Sequence, residues 1–463
     1  MTQAGTEAVI SRDRVAALLE RERESFASGH PASREMHERA IEGPLLSGVP
    51  MNWMTRWAGA FPIYFAEARG ARIVDVDGIE YADLCLGDTG AMTGHSPAPT
   101  VMAASERLGR GITTMLPSED ALPVGREVER RFGLRHWQFT LSATDANRFA
   151  IRICREVTGR PKILVFNHCY HGSVDETFAT LTEDGRVTAR EGNVGPPVDL
   201  AETTRVVEFN DVDALERELG HGDVACVLAE PAMTNVGIVL ADPGYHDALR
   251  RATRETGALL IIDETHTLCC GPGGYTVAEG LEPDMLTIGK PIAGGIPTGA
   301  YGMSDEVASQ VLEHTDWDNA DVGGIGGTLA GNALSLAAVR ATLSEVLTDE
   351  AFERMIALAE RYEGAVADAI SEHGLPWQVT RLGCRAEYMF APERPRTGAQ
   401  ASADFDPELD ALMHLYMLNR GVLMTPFHMM ALMSPATTEA DVDRHGAAFA
   451  EAAAELTGPK PAP

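Results

Sequence analysis

The sequence predicts an α/β fold: a mostly parallel sheet wrapped by helices, accompanied by a smaller α+β lobe. Short apolar runs at 162–166, 224–230, 258–264 and 285–289 alternate with helical patterns at 211–219 and 245–256, as in a sheet wound with helices. The runs at 258–264 and 285–289 are continuous rather than alternating, as expected of strands buried on both faces. A chain of 463 residues is too long for one small core and suits a large domain plus a second lobe.

Composition narrows the function. Lys and Arg number 38 against 68 Asp and Glu, a formal charge of −30, which repels nucleic acid and anionic membranes. No run approaches the roughly 18 apolar residues of a membrane helix, and the opening Met1-Thr2-Gln3-Ala4 lacks the basic start and apolar core of a signal peptide. A cytoplasmic location is expected. The seven cysteines are scattered without a Cys-x-x-Cys, so neither a disulfide framework nor a metal site is indicated. Adjacent Cys269 and Cys270 read as small packing residues.

In chain order, Val15, Leu18, Leu19 and Phe26 among charged residues predict an amphipathic helix over 10–42, ended by Gly43-Pro44. Alternating residues from Pro62 through the Asp77-Gly78 turn to Leu84 predict a hairpin or small meander. A helix is expected over 99–108 and a strand over 136–141. That strand runs into Ser142-Ala143-Thr144-Asp145-Ala146-Asn147 and a helix over 148–158. A strand, a small-residue turn and a helix N-terminus make an anion site, because unpaired N–H groups converge there. The same residues also read as a plain capping motif.

After 289, the turn-rich Gly294–Gly299 loop precedes a short strand at 300–303, and Gly323 to Thr328 form a glycine loop before a long helix over 329–347. The helical region to His373 leads into strands at 377–380 and 385–390. A Pro/Ala/Ser-rich interruption at 392–403 follows, then a helix at 409–420, a strand at 422–425, a final helix over 439–456 and a disordered tail from Gly458.

The stretch from 258 to 290 organises the rest. Its first strand ends in Asp263-Glu264 and its second is followed closely by Lys290. Ligands of open α/β sheets sit beyond the carboxyl ends of the strands, so Asp263 and Lys290 belong to one crevice. An amine and a carboxylate there suit pyridoxal phosphate, whose aldehyde a lysine holds as a Schiff base while a carboxylate keeps the ring nitrogen protonated. Taken alone, the acidic pair also reads as a solvated loop start and the lysine as an exposed one.

Together these motifs resemble the class III aminotransferases, a group of fold-type I pyridoxal phosphate enzymes that includes glutamate-1-semialdehyde aminomutase. The resemblance runs from Pro62 to the final helix and implies a large domain over 85–334, with a small domain from 1–84 and 335–463. It implies that Ser142 to Asn147, with Ala143 and Thr144, bind the cofactor phosphate, and that Tyr170 of Tyr170-His171-Gly172 stacks on the ring. Glu230 matches the family's strand-end glutamate, Asp263 the partner of the ring nitrogen and Lys290 the Schiff-base lysine. Thr328 matches the threonine that reaches the phosphate of a neighbouring subunit, which implies a homodimer.

The departures bear on the reaction. Thr265-His266 stand where the family commonly has Val-Gln or Val-Met, so a hydroxyl faces the ring and an imidazole lies near its phenolic oxygen. His266 is either a fixed hydrogen-bond donor or an acid or base. Asp88-Thr89-Gly90 and His428-Met429-Met430 occupy places where the aminomutases carry Ser-Trp-Gly and an acidic residue, which speaks against aminomutase activity. No arginine stands in 424–430 to bind a substrate carboxylate; Arg56 and Arg420 are the alternatives. The expected function is amino transfer between a primary amine or amino acid and a keto acid. An ammonia-lyase is the alternative, and a non-catalytic binding protein is disfavoured by the presence of both Lys290 and Asp263.

Overall fold

The computed structural model describes residues 10–196, 198–314 and 324–458. Gly323 and the chain beyond Gly458, for which a glycine loop and a disordered tail are expected, lie outside the described residues. The chain packs as two units, one of residues 1–88, 354–394 and 404–463, the other of 89–353 and 395–403.

The second unit is built on a seven-stranded sheet in the spatial order His136–Thr140, Gly299–Met303, Met285–Ile288, Leu259–Asp263, Val224–Ala229, Lys162–Phe166, Thr204–Val207. All neighbours pair in parallel except Gly299–Met303, which runs antiparallel to both of its partners. Every residue of Val224–Ala229 and Met285–Ile288 is buried, so side chains on both faces are covered and the apolar runs need not alternate. Thr204–Val207 is a strand that the pattern reading does not pick out. It lies at the edge, and four residues opening Thr-Arg carry too little periodicity.

The helix at 329–347 is shorter than expected. It begins at Ala333, capped by the Asn332 side chain, which accepts from the Ser335 amide, and it passes into a π turn over Thr342–Val346. There the buried Arg131 guanidinium donates to the carbonyls of Leu343 and Leu347 at 2.5 and 2.7 Å. A cation that collects carbonyl oxygens compensates the bonds that a widened turn misaligns. The interruption at 392–403 also carries a short helix, Gly398–Ala403.

The first unit holds the expected meander, Phe65–Arg69, Arg72–Asp75 and Glu80–Asp83, extended by Val422–Leu423 in parallel with the last. A second sheet pairs Gln378–Leu382, Arg385–Met389 and Met430–Leu432 antiparallel. The leading helix is two helices, Arg12–Gly29 and Pro31–Ile41. Proline lacks the N–H that would continue a helix but suits a first turn, so Pro31 ends one and starts the next. His30 sits at the break, its ring nitrogens 2.7 Å from the Phe26 carbonyl and the Tyr81 hydroxyl. Among the described residues, no helix is long and apolar enough to cross a membrane.

Candidate active site

Two adjacent parallel strands bring the central pair together. Asp263 closes Leu259–Asp263 in register with Thr287 of the neighbouring strand, and Lys290 follows that neighbour's end at Ile288 by two residues. Lys290 has φ 44°, a left-handed conformation costly for a side chain with a Cβ and found preferentially at functional sites. Gly289 before it lies against the next helix, since a Cβ there would stand 2.8 Å from the Ala143 nitrogen. The lysine is thereby held at the sheet end next to that helix's first turn.

Ser142 is the N-cap of Ala143–Thr158, its Oγ accepting from the Asp145 amide at 3.2 Å. The capping motif is therefore real. It satisfies Asp145 and leaves the first-turn N–H groups of Ala143 and Thr144 without an intrahelical partner, so the cap is compatible with an anion site. Thr144 Oγ1 accepts from the Ser173 amide at 3.1 Å. Gly172, with φ 77°, passes so close that a Cβ would meet Thr144 Oγ1 at 2.1 Å, which only glycine permits.

Asp263 is buried and fully engaged. Its Oδ2 accepts from His171 Nδ1 at 2.9 Å and from Asn147 Nδ2 at 2.8 Å, while Oδ1 accepts from the Thr265 amide at 3.0 Å. Burial pushes its pKa up, but the hydrogen bonds and charge of His171 and the bonds from Thr265 and Asn147 win and hold it down at about 2. Burial lowers that of His171, and Cys169 and Asp263 outweigh this, raising it to about 10. A carboxylate with this set of donors stays ionised across physiological pH. Glu264 turns away, accepting from Thr267 at 2.6 Å and from the Thr276 and Tyr275 amides at 2.5 and 3.1 Å. Burial raises its pKa despite these bonds, and its work is to tie the 264–276 loop.

His266 joins the lysine to a second carboxylate. Its Nε2 lies 2.6 Å from Lys290 Nζ and its Nδ1 3.1 Å from Thr234 Oγ1, and Thr234 donates to Glu230 Oε2 at 2.5 Å. Thr265 is buried, and among the described residues its Oγ1 has no hydrogen-bond partner. Tyr170 is 41% exposed, its ring edge-on to Phe178. Thr328 lies exposed in a turn and, among the described residues, shares no hydrogen bond with the others. Asn147, positioned through Thr287 Oγ1 at 2.6 Å, and Thr234 are the residues that pattern reading does not single out. For Asn147 the signal was present, since it closes the small-residue turn from Ser142 to Asn147. Arg420 is committed elsewhere, 3.3 Å above the Tyr416 ring and paired with Glu22 and Glu451.

The arrangement offers an amine on a strained backbone, a carboxylate fixed as an anion and a helix N-terminus with a hydroxyl. Those are the features that an aldehyde, a protonated pyridine nitrogen and a phosphate require of a protein. The family model for class III aminotransferases matches residues 53–452. This chain belongs to the class III aminotransferase family. It is a fold-type I enzyme whose cofactor is pyridoxal phosphate, and the buried Thr265 hydroxyl and the glycine-lined turn at Thr144 fit such a group. A glutamate-1-semialdehyde 2,1-aminomutase of Anaeromyxobacter sp. (strain Fw109-5) is 33% identical over 413 residues, 86% of this chain and 93% of that protein. A crystal structure of a variant glutamate-1-semialdehyde-aminomutase from Pseudomonas aeruginosa PAO1, in complex with PMP, superposes with TM-score 0.94 at 48% identity, covering 96% of this chain and 99% of that one. An omega-transaminase from Sphaerobacter thermophilus superposes with TM-score 0.83 at 30% identity, covering 93% and 100%.

Proposed function

We propose that this class III enzyme moves an amino group from a primary amine or amino acid to a keto acid. The observation that carries the reading is the pairing of Lys290, on its strained turn, with an Asp263 carboxylate whose three hydrogen-bond donors keep it ionised. Pyridoxal phosphate supplies an electron sink for the charge left when a proton leaves the substrate carbon. Lys290 would be the covalent attachment point and the base that moves this proton. Asp263 would face the ring nitrogen as its anionic partner. Ala143 and Thr144 would bind the phosphate, joined by Thr328 from a second copy of the chain, and Tyr170 and Thr265 would hold the ring. Glu230 and His266 would serve its phenolic oxygen.

The exposed apolar side chains of Met115, Leu116 and Leu122 support a homodimer, since an apolar surface of this kind is covered when two copies pair. A light-scattering mass of one chain for the active, cofactor-saturated protein would contradict this.

A second reading, transfer of the amino group within one molecule, has the aminomutase relatives in its favour. Against it stand Asp88-Thr89-Gly90 and the apolar Met429-Met430. The test supplies amino donors without acceptor. Accumulation of the aminated cofactor is expected. Turnover of glutamate-1-semialdehyde to its isomer with the amino group moved from carbon 2 to carbon 1 would favour the aminomutase, and stoichiometric ammonia release would favour an elimination.

A further inference from the structure

We infer that Lys290, His266, Thr234 and Glu230 form a directional proton relay that strips the proton from the Lys290 ammonium, leaving the amine able to attack an aldehyde. The proposal rests on Lys290 being the attachment point.

The direction follows from counting protons. Thr234 Oγ1 has one proton, and it is donated to Glu230 Oε2 at 2.5 Å. At 3.1 Å from His266 Nδ1 the same oxygen can then only accept, so His266 carries its proton on Nδ1. Nε2 of the neutral ring is left as an acceptor, and it lies 2.6 Å from Lys290 Nζ. Every bond from the lysine to the carboxylate therefore points the same way.

An ammonium has no lone pair with which to attack an aldehyde. In the step proposed, one N–H bond of Lys290 breaks and one forms on His266 Nε2. The lysine becomes neutral and the ring becomes an imidazolium. Its charge is stabilised by the Glu230 carboxylate through the Thr234 hydroxyl, all within a partly buried site where such bonds are strengthened. Glu230 is itself buried. Among the described residues, the two carboxylates of the neighbouring strand end are engaged elsewhere: Asp263 with His171, Asn147 and the Thr265 amide, and Glu264 with Thr267, Thr276 and Tyr275. Glu230 is thus the carboxylate to which the imidazole is wired. His266 and Thr234 act through Lys290 and are positioning residues.

The experiment mixes the full-length chain, stripped of cofactor, with pyridoxal phosphate alone and follows the colour of the lysine-bound form against pH. Wild type, His266→Gln, Thr234→Val and Thr234→Ser are compared, with Lys290→Ala as control. With the relay, His266→Gln moves the midpoint of the rate profile up by about one pH unit, a tenfold slower capture below it. Thr234→Val moves it the same way by less, and Thr234→Ser restores the wild-type midpoint. A merely structural role would lower rates without moving the midpoint. Unmoved midpoints in both His266→Gln and Thr234→Val overturn the relay. If His266→Gln fails to fold, Thr234→Val against Thr234→Ser decides alone. Colour forming in Lys290→Ala at the wild-type rate would instead overturn the attachment reading, and the relay with it.

Discussion

Two buried carboxylate–imidazole pairs, one in each unit, share a distance and differ in how their carboxylates are held. Asp263 meets His171 at 2.9 Å, and Glu387 meets His428 at 2.9 Å. Asp263 stands at a strand end, where the backbone turns and the Thr265 amide is available, with Asn147 completing the set. Glu387 stands in mid-strand, between the partners Thr380 and Met430, where backbone N–H groups are spent on the ladder. Among the described residues its buried Oε2 has no hydrogen-bond partner, and a fully buried arginine, Arg385, lies two residues along the same strand and therefore on the same face. A strand terminus can surround an anion with donors; a strand centre relies on whatever side chains are near.

The comparison predicts unequal costs for matched substitutions. Asp263→Asn should abolish turnover and lose about 3–5 kcal/mol of stability, because it breaks a buried pair and removes the charge that helps keep His171 protonated against its burial. Retained thermal stability by calorimetry would mean that the pair is not a fixed ion pair. Asn147→Ala removes one donor from that carboxylate and one bond to Thr287, and should cost about 1–3 kcal/mol. Bound cofactor in this variant should show weakened ring protonation in its absorbance.

The pairs also differ in pH response. His171 is raised to about 10, so its contribution is complete below an unfolded value of about 6.5 and is lost as pH rises through about 10. Asp263, held at about 2, contributes above an unfolded value of about 3.9 and loses this as pH falls through about 2. Thermal midpoints should therefore decline on the alkaline side, and His171→Asn should flatten that decline. His428 is also raised, against burial, by the charge and hydrogen bond of Glu387, so its share has the same sign and fades above about 6.5. The smallest effect is expected for Glu387→Gln, about 1 kcal/mol or less near neutral pH, since His428 can shed its proton and no satisfied acceptor set is lost. A loss equal to that of Asp263→Asn would erase the distinction.

Much of the second unit was legible because its strands are buried on both faces and leave uninterrupted apolar runs such as Leu259-Leu260-Ile261-Ile262. Lys290 and Asp263 were legible because chemistry at the end of such a run has few other uses. The break at Pro31 had a local signal, outweighed by the amphipathic pattern that continues on either side. Met430–Leu432 had none, since a three-residue strand in a methionine-rich loop looks the same as the loop.

The sequence by itself determined the alternation of strands and helices, the acid and the amine at two strand ends and the glycines at the turn, because periodicity and backbone permissiveness are local properties. Only the tertiary structure decided that Asn147 and His171 converge on Asp263, that Thr234 lies between Glu230 and His266, and that Glu264 ties a loop while its neighbour faces the site. Each of those depends on side chains from different elements meeting within about 3 Å, and separation along the chain carries no record of which donors will arrive.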